Sequence, residues 1–254
     1  MEEGIVFSRD GAIATATINR PDKRNAMKMA DLKALHRVLE EVEADKSIRA
    51  LILTGAGDRA FSAGVDLSDV GGGAAAWDDN PLRNLCDRIE ALPRVTIARI
   101  NGAVIGGAAE VALACDFRVG VDTAKVMVPA AKIGIHYEPA GLRRAMAVVG
   151  MQAAKRIYLL CETIRAEELH RLGFFDNMVD AAALDGAVAE IAEAAASSAP
   201  LSVDGMKLTI MQIARGDLDM EAARARIRES WSSEDMKEGL AAVQAGRKAD
   251  FKGR

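Results

Sequence analysis

Residues 101–116 read NGAVIGGAAEVALACD, a stretch in which every position from Ile105 to Cys115 is apolar or glycine except Glu110. The pattern predicts a short helix opening behind Gly106-Gly107, with a carboxylate on a side that is otherwise apolar. Burying a carboxylate costs free energy unless it has a partner or a task. Gly107 and Glu110 are three apart, so on a helix they share a face, and Gly107 lies near the N-terminus, where N–H groups lack intrahelical partners. Such an end can hold an anion or a developing oxyanion, and Glu110 stands one turn away as an acid or base.

Working outward, Val95–Ile100 (VTIARI) leads into this stretch as a buried strand, and Phe117–Val121 and Lys125–Val128 follow it as short strands. Ile48–Thr54 (IRALILT) is a similar run that ends in Gly55-Ala56-Gly57 and delivers the chain into the loop FSAGVDLSDV, residues 61–70. In that loop Ala63-Gly64-Val65-Asp66 combines a permissive glycine with a side-chain acceptor, which suits main-chain N–H groups turned toward a ligand. Two separate sources of backbone donors are thus available to one carbonyl oxygen. Ile5–Arg9 and Ala12–Asn19 read as a hairpin about Asp10-Gly11. After the polar connection RPDKRNAM, residues Leu32, Leu35, Val38, Leu39 and Val42 recur at helical spacing. Another helix is predicted from Pro81 to Leu92. Strands alternating with helices argue for an α/β core.

Beyond residue 140 helical patterns dominate, at about 141–149, 152–160, 166–172, 184–196, 202–215, 220–231 and 236–247, and strand signals nearly vanish. Gly71-Gly72-Gly73 and the three alanines after it form a low-complexity segment expected to be mobile.

Of the 254 residues half are hydrophobic and 28% charged, with a net charge of −4, which gives no electrostatic reason to expect nucleic acid over the whole surface. Cys86, Cys115 and Cys161 are far apart and show no CxxC spacing, so they read as small core residues in a reducing compartment. There is neither a basic leader nor an apolar run near the roughly 18 residues of a membrane span. The expectation is a cytoplasmic protein without a span. His36 and His170 fall in amphipathic helices and are assigned to structure. No metal-ligand spacing and no Ser-His-Asp arrangement is found.

The motifs together resemble the crotonase superfamily, the enoyl-CoA hydratase/isomerase family, over essentially the full length. NRPDKRNAM (residues 19–27) is similar to the family's NRP…NAL signature, FSAGVDL (61–67) to its first oxyanion-hole loop, and NGAVIGGAAEVALACD to its second. SSEDMKEGLAAVQAGRKADFKG (232–253) resembles its closing segment. The resemblance implies a spiral of ββα turns over residues 1–195 and a helical C-terminal region over 196–254 that builds a trimer or a dimer of trimers. It implies an acyl-CoA thioester as substrate, coenzyme A as part of that substrate, no other cofactor and no metal. The Val65 and Gly107 N–H groups would hold the thioester oxygen while an enolate forms, and Glu110 would be a catalytic glutamate.

One departure stands out. The second glutamate of the hydratases follows a proline in a segment like QPE, and here that segment is Val128-Pro129-Ala130. Ala130 cannot transfer a proton, so two-carboxylate addition of water is not supported by this residue set. Glu138, four residues beyond Gly134, matches the spacing at which some isomerases of the family carry their acid/base glutamate, and is the candidate replacement. Its alternative is a loop carboxylate paired with Arg143 or Arg144. Ala63, Asp66 and Leu67 in the first loop, and Ala130, His136 and Tyr137 in the later segment, are the candidates for substrate contact. Two other readings remain: an acyl-CoA-binding protein without catalysis, and an RNA-binding family member using Lys23, Arg24, Lys28, Lys33 and Arg37.

Overall fold

The computed structural model describes residues 4–66, 68 and 80–254. The segment 71–76, expected to be mobile, lies outside them. Strands β1 (Ile5–Asp10) and β2 (Ile13–Ile18) form the antiparallel hairpin read from Asp10-Gly11, with Gly11 at φ +55°. Helix α1 (Met29–Ala44) buries Leu32, Leu35, Val38, Leu39 and Val42, the five positions its periodicity selects.

Next come β3 (Ala50–Gly55), β4 (Ala60–Ser62) and α2 (Pro81–Ala91), then β5 (Val95–Ile100), β6 (Ala103–Ile105) and α3 (Gly107–Ala114), then β7 (Phe117–Val121), β8 (Lys125–Met127) and α4 (Pro139–Leu159). In each set the first strand joins a six-stranded sheet of order β1-β2-β3-β5-β7-β10, and the second joins a four-stranded sheet of order β4-β6-β8-β9. Here β9 is Ile164–Arg165 and β10 is Asn177–Val179, with α5 (Ala166–Arg171) between them. Successive sets pair in parallel, β3 with β5 and β5 with β7 in one sheet, β4 with β6 and β6 with β8 in the other. The chain therefore climbs as a spiral of ββα turns. Its central strands are buried on both faces, which is why they read as apolar runs instead of alternating.

Two features differ from the sequence reading. The helical patterns at 141–149 and 152–160 belong to one element, α4, bent at Gly150, whose φ of 76° and ψ of 164° no helix holds. Strands β9 and β10 were not read because two or three residues are too few to display alternation. Helix α6 (Leu184–Ala196) packs on β3, β5 and β7 through Leu184, Val188 and Ala192, so it closes the sheet that the strands build.

The remaining helices, α7 (Pro200–Arg215), α8 (Met220–Ser232) and α9 (Glu234–Ala245), carry exposed Met206, Ile210, Ile213, Ile227 and Trp231. Lys207 ties α7 to the spiral, donating to Arg94 O and to Asp116 Oδ2, each at 2.7 Å. Cys86, Cys115 and Cys161 are free thiols in the interior. Among the described residues no helix is long and apolar enough to cross a membrane, and no cluster of side chains could hold a metal ion.

Candidate active site

The first loop leaves β4 and is fixed by main-chain bonds to the segment before α1. Ala63 N donates to Arg24 O at 2.9 Å, Met27 N to Gly64 O at 2.8 Å, and Asp66 N to Met27 O at 2.8 Å. These bonds make a parallel bridge between Met27 and Val65 in which Met27 supplies both bonded groups. In that pattern the N–H of Val65 points away from its bridge partner and stays available. Asn25 is buried at φ 58°, and its Nδ2 donates to Ala56 O at 3.0 Å and Ala60 O at 2.8 Å. Asn101 Nδ2 donates to Gly55 O at 2.9 Å and Gly57 O at 2.6 Å. The two asparagines thus satisfy the carbonyls of the turn that feeds the loop.

The second donor lies directly across. Gly64 has φ +86°, and a Cβ on it would come within 2.7 Å of Ile105 O and 3.0 Å of Gly107 N. Only a bare Cα permits that approach. Gly106 N is taken by Met127 O at 2.9 Å, whereas Gly107 is the first residue of α3 and its N–H has no acceptor within the helix. A Cβ on Gly107 would strike Leu82 Cδ2 at 2.5 Å and would lie 3.6 Å from Val65 Cγ2. The Val65 and Gly107 amides are therefore neighbours under the N-terminal end of α2.

Glu110 follows one turn into α3 and is 2% exposed. Its Oε1 accepts from Arg144 Nη1 at 2.9 Å. Arg144 is equally buried; its Nη2 donates to Glu90 Oε2 at 3.1 Å and to Asp87. Arg143 Nη2 in turn donates to Glu90 Oε1 and Oε2 at 2.9 and 2.8 Å. On the other side Gly141 presses its bare Cα on the carboxyl group, since a Cβ there would lie 2.9 Å from Glu110 Cδ and 3.0 Å from Oε2. Burial pushes the Glu110 pKa above the ordinary glutamate range, Arg144 and then the Tyr137 hydroxyl oppose it, and the charges of Asp87 and Glu138 add to the rise. The Tyr137 hydroxyl is buried beside this carboxylate without reaching hydrogen-bond geometry to any described residue.

Two donors for an oxygen and one buried carboxylate are the parts the sequence motifs imply. The family description "Enoyl-CoA hydratase/isomerase" matches residues 8–254. The chain belongs to the enoyl-CoA hydratase/isomerase family, the crotonase superfamily. It is 32% identical to the short-chain-enoyl-CoA hydratase of Clostridium acetobutylicum, covering 98% of each chain. To the crotonyl-CoA hydratase of Syntrophomonas wolfei it is 31% identical, again over 98% of each. Among solved structures, an enoyl-CoA hydratase/carnithine racemase from Magnetospirillum magneticum superposes with a TM-score of 0.93 at 32% identity, over 100% of this chain and 97% of the other.

The remaining candidate positions of this family member divide clearly. Ala130 is buried three residues after Met127, whose carbonyl accepts from Gly106, so an apolar methyl stands on the segment beside the second donor. Glu138 is the N-cap residue of α4 with Pro139 behind it, and its carboxylate lies 3.7 Å from Arg83 Nη1. Pairing with Arg143 or Arg144 is not what forms, because both arginines are taken by Glu90, Asp87 and Glu110. Tyr137 packs edge-on against Tyr158 at 4.8 Å, with its ring near Gly141. His136 is exposed, its Nδ1 2.9 Å from Tyr137 O. Asp66 accepts from Ser68 N at 3.1 Å and Ser68 Oγ at 2.8 Å, bonds that lower its pKa and give it a loop-stabilising part. Leu67 lies outside the described residues. His36 is on α1, and His170 Nδ1 lies 3.1 Å from Phe175 O.

Sequence named Arg144 only as a possible partner of Glu138 and gave Gly141, Asn25 and Asn101 no role. For Arg144 and Gly141 a signal existed: they are three apart on α4 and share a face.

Proposed function

We propose that this chain catalyses hydration or double-bond isomerisation of an enoyl-CoA thioester through an enolate whose oxygen is held by the Val65 and Gly107 amides. The observation that carries this reading is the pair of available N–H groups set beside one buried carboxylate, Glu110. The thioester carbonyl oxygen would accept from both amides, and these bonds strengthen as negative charge develops on it. In isomerisation Glu110 takes a proton from C2 of a 3-enoyl thioester, the electron pair moves toward the thioester oxygen, and the proton returns at C4 as the 2-enoyl product forms. One carboxylate suffices for that shuttle. In hydration a water oxygen adds at C3 and a proton is delivered to C2. With Ala130 in place of a second glutamate, the further proton-handling group would be Glu138, whose charge already acts on Glu110. The thioester acidifies C2, so neither route calls for a metal or a redox cofactor.

Ala63, Asp66, Leu67, Ala130, His136 and Tyr137 would contact the acyl-CoA substrate. Exposed Met206, Ile210 and Ile213 on α7 and Ile227 and Trp231 on α8 support assembly into a trimer or a dimer of trimers through the C-terminal region from residue 196 onward. The three buried free thiols support a reducing, cytoplasmic setting.

The test measures crotonyl-CoA hydration and 3-enoyl-CoA isomerisation with wild type, Glu110→Ala and Glu138→Ala. Turnover by wild type that Glu110→Ala abolishes is expected. Ala130 also favours a second reading, an acyl-CoA binder without catalysis, which replaces the first if wild type binds acyl-CoA tightly and converts neither substrate.

A further inference from the structure

Glu110 sits on an all-apolar helix, so whatever holds and charges it must come from other elements. The groups acting on it are Cys86 and Asp87 from α2, Tyr137 and Glu138 from the turn before α4, and Arg144 and Tyr158 from α4 itself, while Glu90 of α2 acts on Arg144. Arg144 is the cation among them. Its guanidinium is divided: one terminal nitrogen grips Glu110 Oε1 at 2.9 Å, and the other grips Glu90 at 3.1 Å together with Asp87. Its Nε is buried with no partner among the described residues, so the group is spent on orienting carboxylates and gains nothing for itself. Gly141, on the same helical face, backs the other oxygen, Oε2.

We propose that Arg144 is the positioning residue of this site: it fixes Glu110 by Oε1 and keeps it ionised, so that Oε2 is the oxygen that receives the proton. This rests on the reading that Glu110 is the base of the reaction. The physical need is plain, because a carboxylate buried near two further acidic groups would hold its proton and could not take one from the substrate. Arginine suits the task better than lysine, since its planar fork holds two carboxylate groups at once and stays charged when buried. Asp87, half-exposed at the outer end of the fork, works in the opposite sense: its charge raises the Glu110 pKa.

Two variants therefore pull in opposite directions. In protein labelled with 13C at the glutamate carboxyl carbon, the Glu110 resonance is identified by its loss in Glu110→Gln and followed against pH. Arg144→Gln moves its titration to higher pH, Arg144→Lys moves it less, and Asp87→Asn moves it to lower pH. In turnover, Arg144→Gln lowers kcat on the order of 10²-fold near pH 6, with a deficit that narrows as the pH rises, while KM changes by less than about threefold. A role confined to packing would lower kcat equally at all pH. An unmoved resonance in Arg144→Gln, or shifts of the same sign in Arg144→Gln and Asp87→Asn, overturns the assignment. If Arg144→Gln does not fold, Asp87→Asn decides alone, since a shift to higher pH or none overturns the assignment. If wild type converts neither substrate while the resonance moves as stated, the reaction reading fails with the proton-receiving part of Oε2, and only the fixing and charging of Glu110 by Arg144 stands.

Discussion

Val65 and Gly107 present backbone amides held by strand-like bonds and close glycine packing, whereas Glu110 and Glu138 present side chains held by ion pairs, and the two halves meet on α3. The main-chain half has no room for a Cβ at Gly64, which would collide with Ile105 O, while one at Gly107 would have to displace the Leu82 side chain. The side-chain half rests on charge, with Arg144 and Glu110 both buried and paired with each other. Within the second half the two glutamates also differ. Glu110 is fixed at 2.9 Å by a buried arginine, while Glu138 is 19% exposed and 3.7 Å from an arginine that is 29% exposed. Shape holds one half and charge balance the other, and substitutions separate them.

Replacing Glu110 by Gln removes the proposed proton-transfer group and leaves the amides in place. Loss of kcat on the order of 10²–10⁴-fold is expected in the isomerase or hydratase assay, with acyl-CoA binding retained. The sign of its stability effect is the opposite. Burial raises the pKa of Glu110 in the folded state, so its ionisation costs stability as pH rises through the window between the unfolded and the higher folded value. The Gln variant is thus expected to melt no lower than wild type at pH 7. The wild-type acid limb of kcat/KM, for the same reason, lies above the ordinary glutamate range.

Gly64→Ala breaks the other half. At φ +86° with a backbone oxygen 2.7 Å from the new methyl, the loop must withdraw from Gly107. Loss of one of the two proposed oxyanion donors is expected to lower kcat on the order of 10²–10³-fold, and here the melting temperature falls as well, in contrast to Glu110→Gln.

Gly141→Ala sharpens the contact between the halves of the acid/base group. Its methyl would meet Tyr137 Cε1 at 2.7 Å and the Glu110 carboxyl at 2.9 Å, so Glu110 must turn off Arg144 or α4 must shift. A kcat loss of roughly 10–10²-fold is expected, since a misplacement of this size costs about that much, and stopped assays on both substrates measure it.

Glu138→Gln is expected to have the smallest effect on isomerisation, under about tenfold, and a larger one on hydration, where a second proton-handling group is needed. Equal losses on both substrates would place Glu138 in a common step.

How much of this was legible in the sequence varies with the range of the interaction. The strands β3, β5 and β7 were readable because doubly buried strands are continuous apolar runs, and α1 because one face repeats at helical spacing. The two-residue β9 and three-residue β10 were not, since they are paired by neighbours and carry no pattern of their own. Glu110 announced itself as the acid in an apolar helix. The partner that makes it useful did not, because Arg144 is 34 residues away and looks like any helix arginine. Glu138 reads from sequence as a second acid/base candidate or as a partner of Arg143 or Arg144, and it lies instead 3.7 Å from Arg83, an arginine that the chain order keeps 55 residues away.

The sequence by itself determined the buried strands, the two glycine-bearing loops and the carboxylate at 110, because each is a matter of local pattern or of residue identity, while the spiral and the alanine at 130 in place of a glutamate came from the family resemblance. Tertiary structure alone decided which arginine meets Glu110, which oxygen of that carboxylate the arginine takes, and how far Glu138 stands from its pair. Those depend on where three separate helices are brought together, and burial makes every charge there answer to groups that the chain order keeps apart.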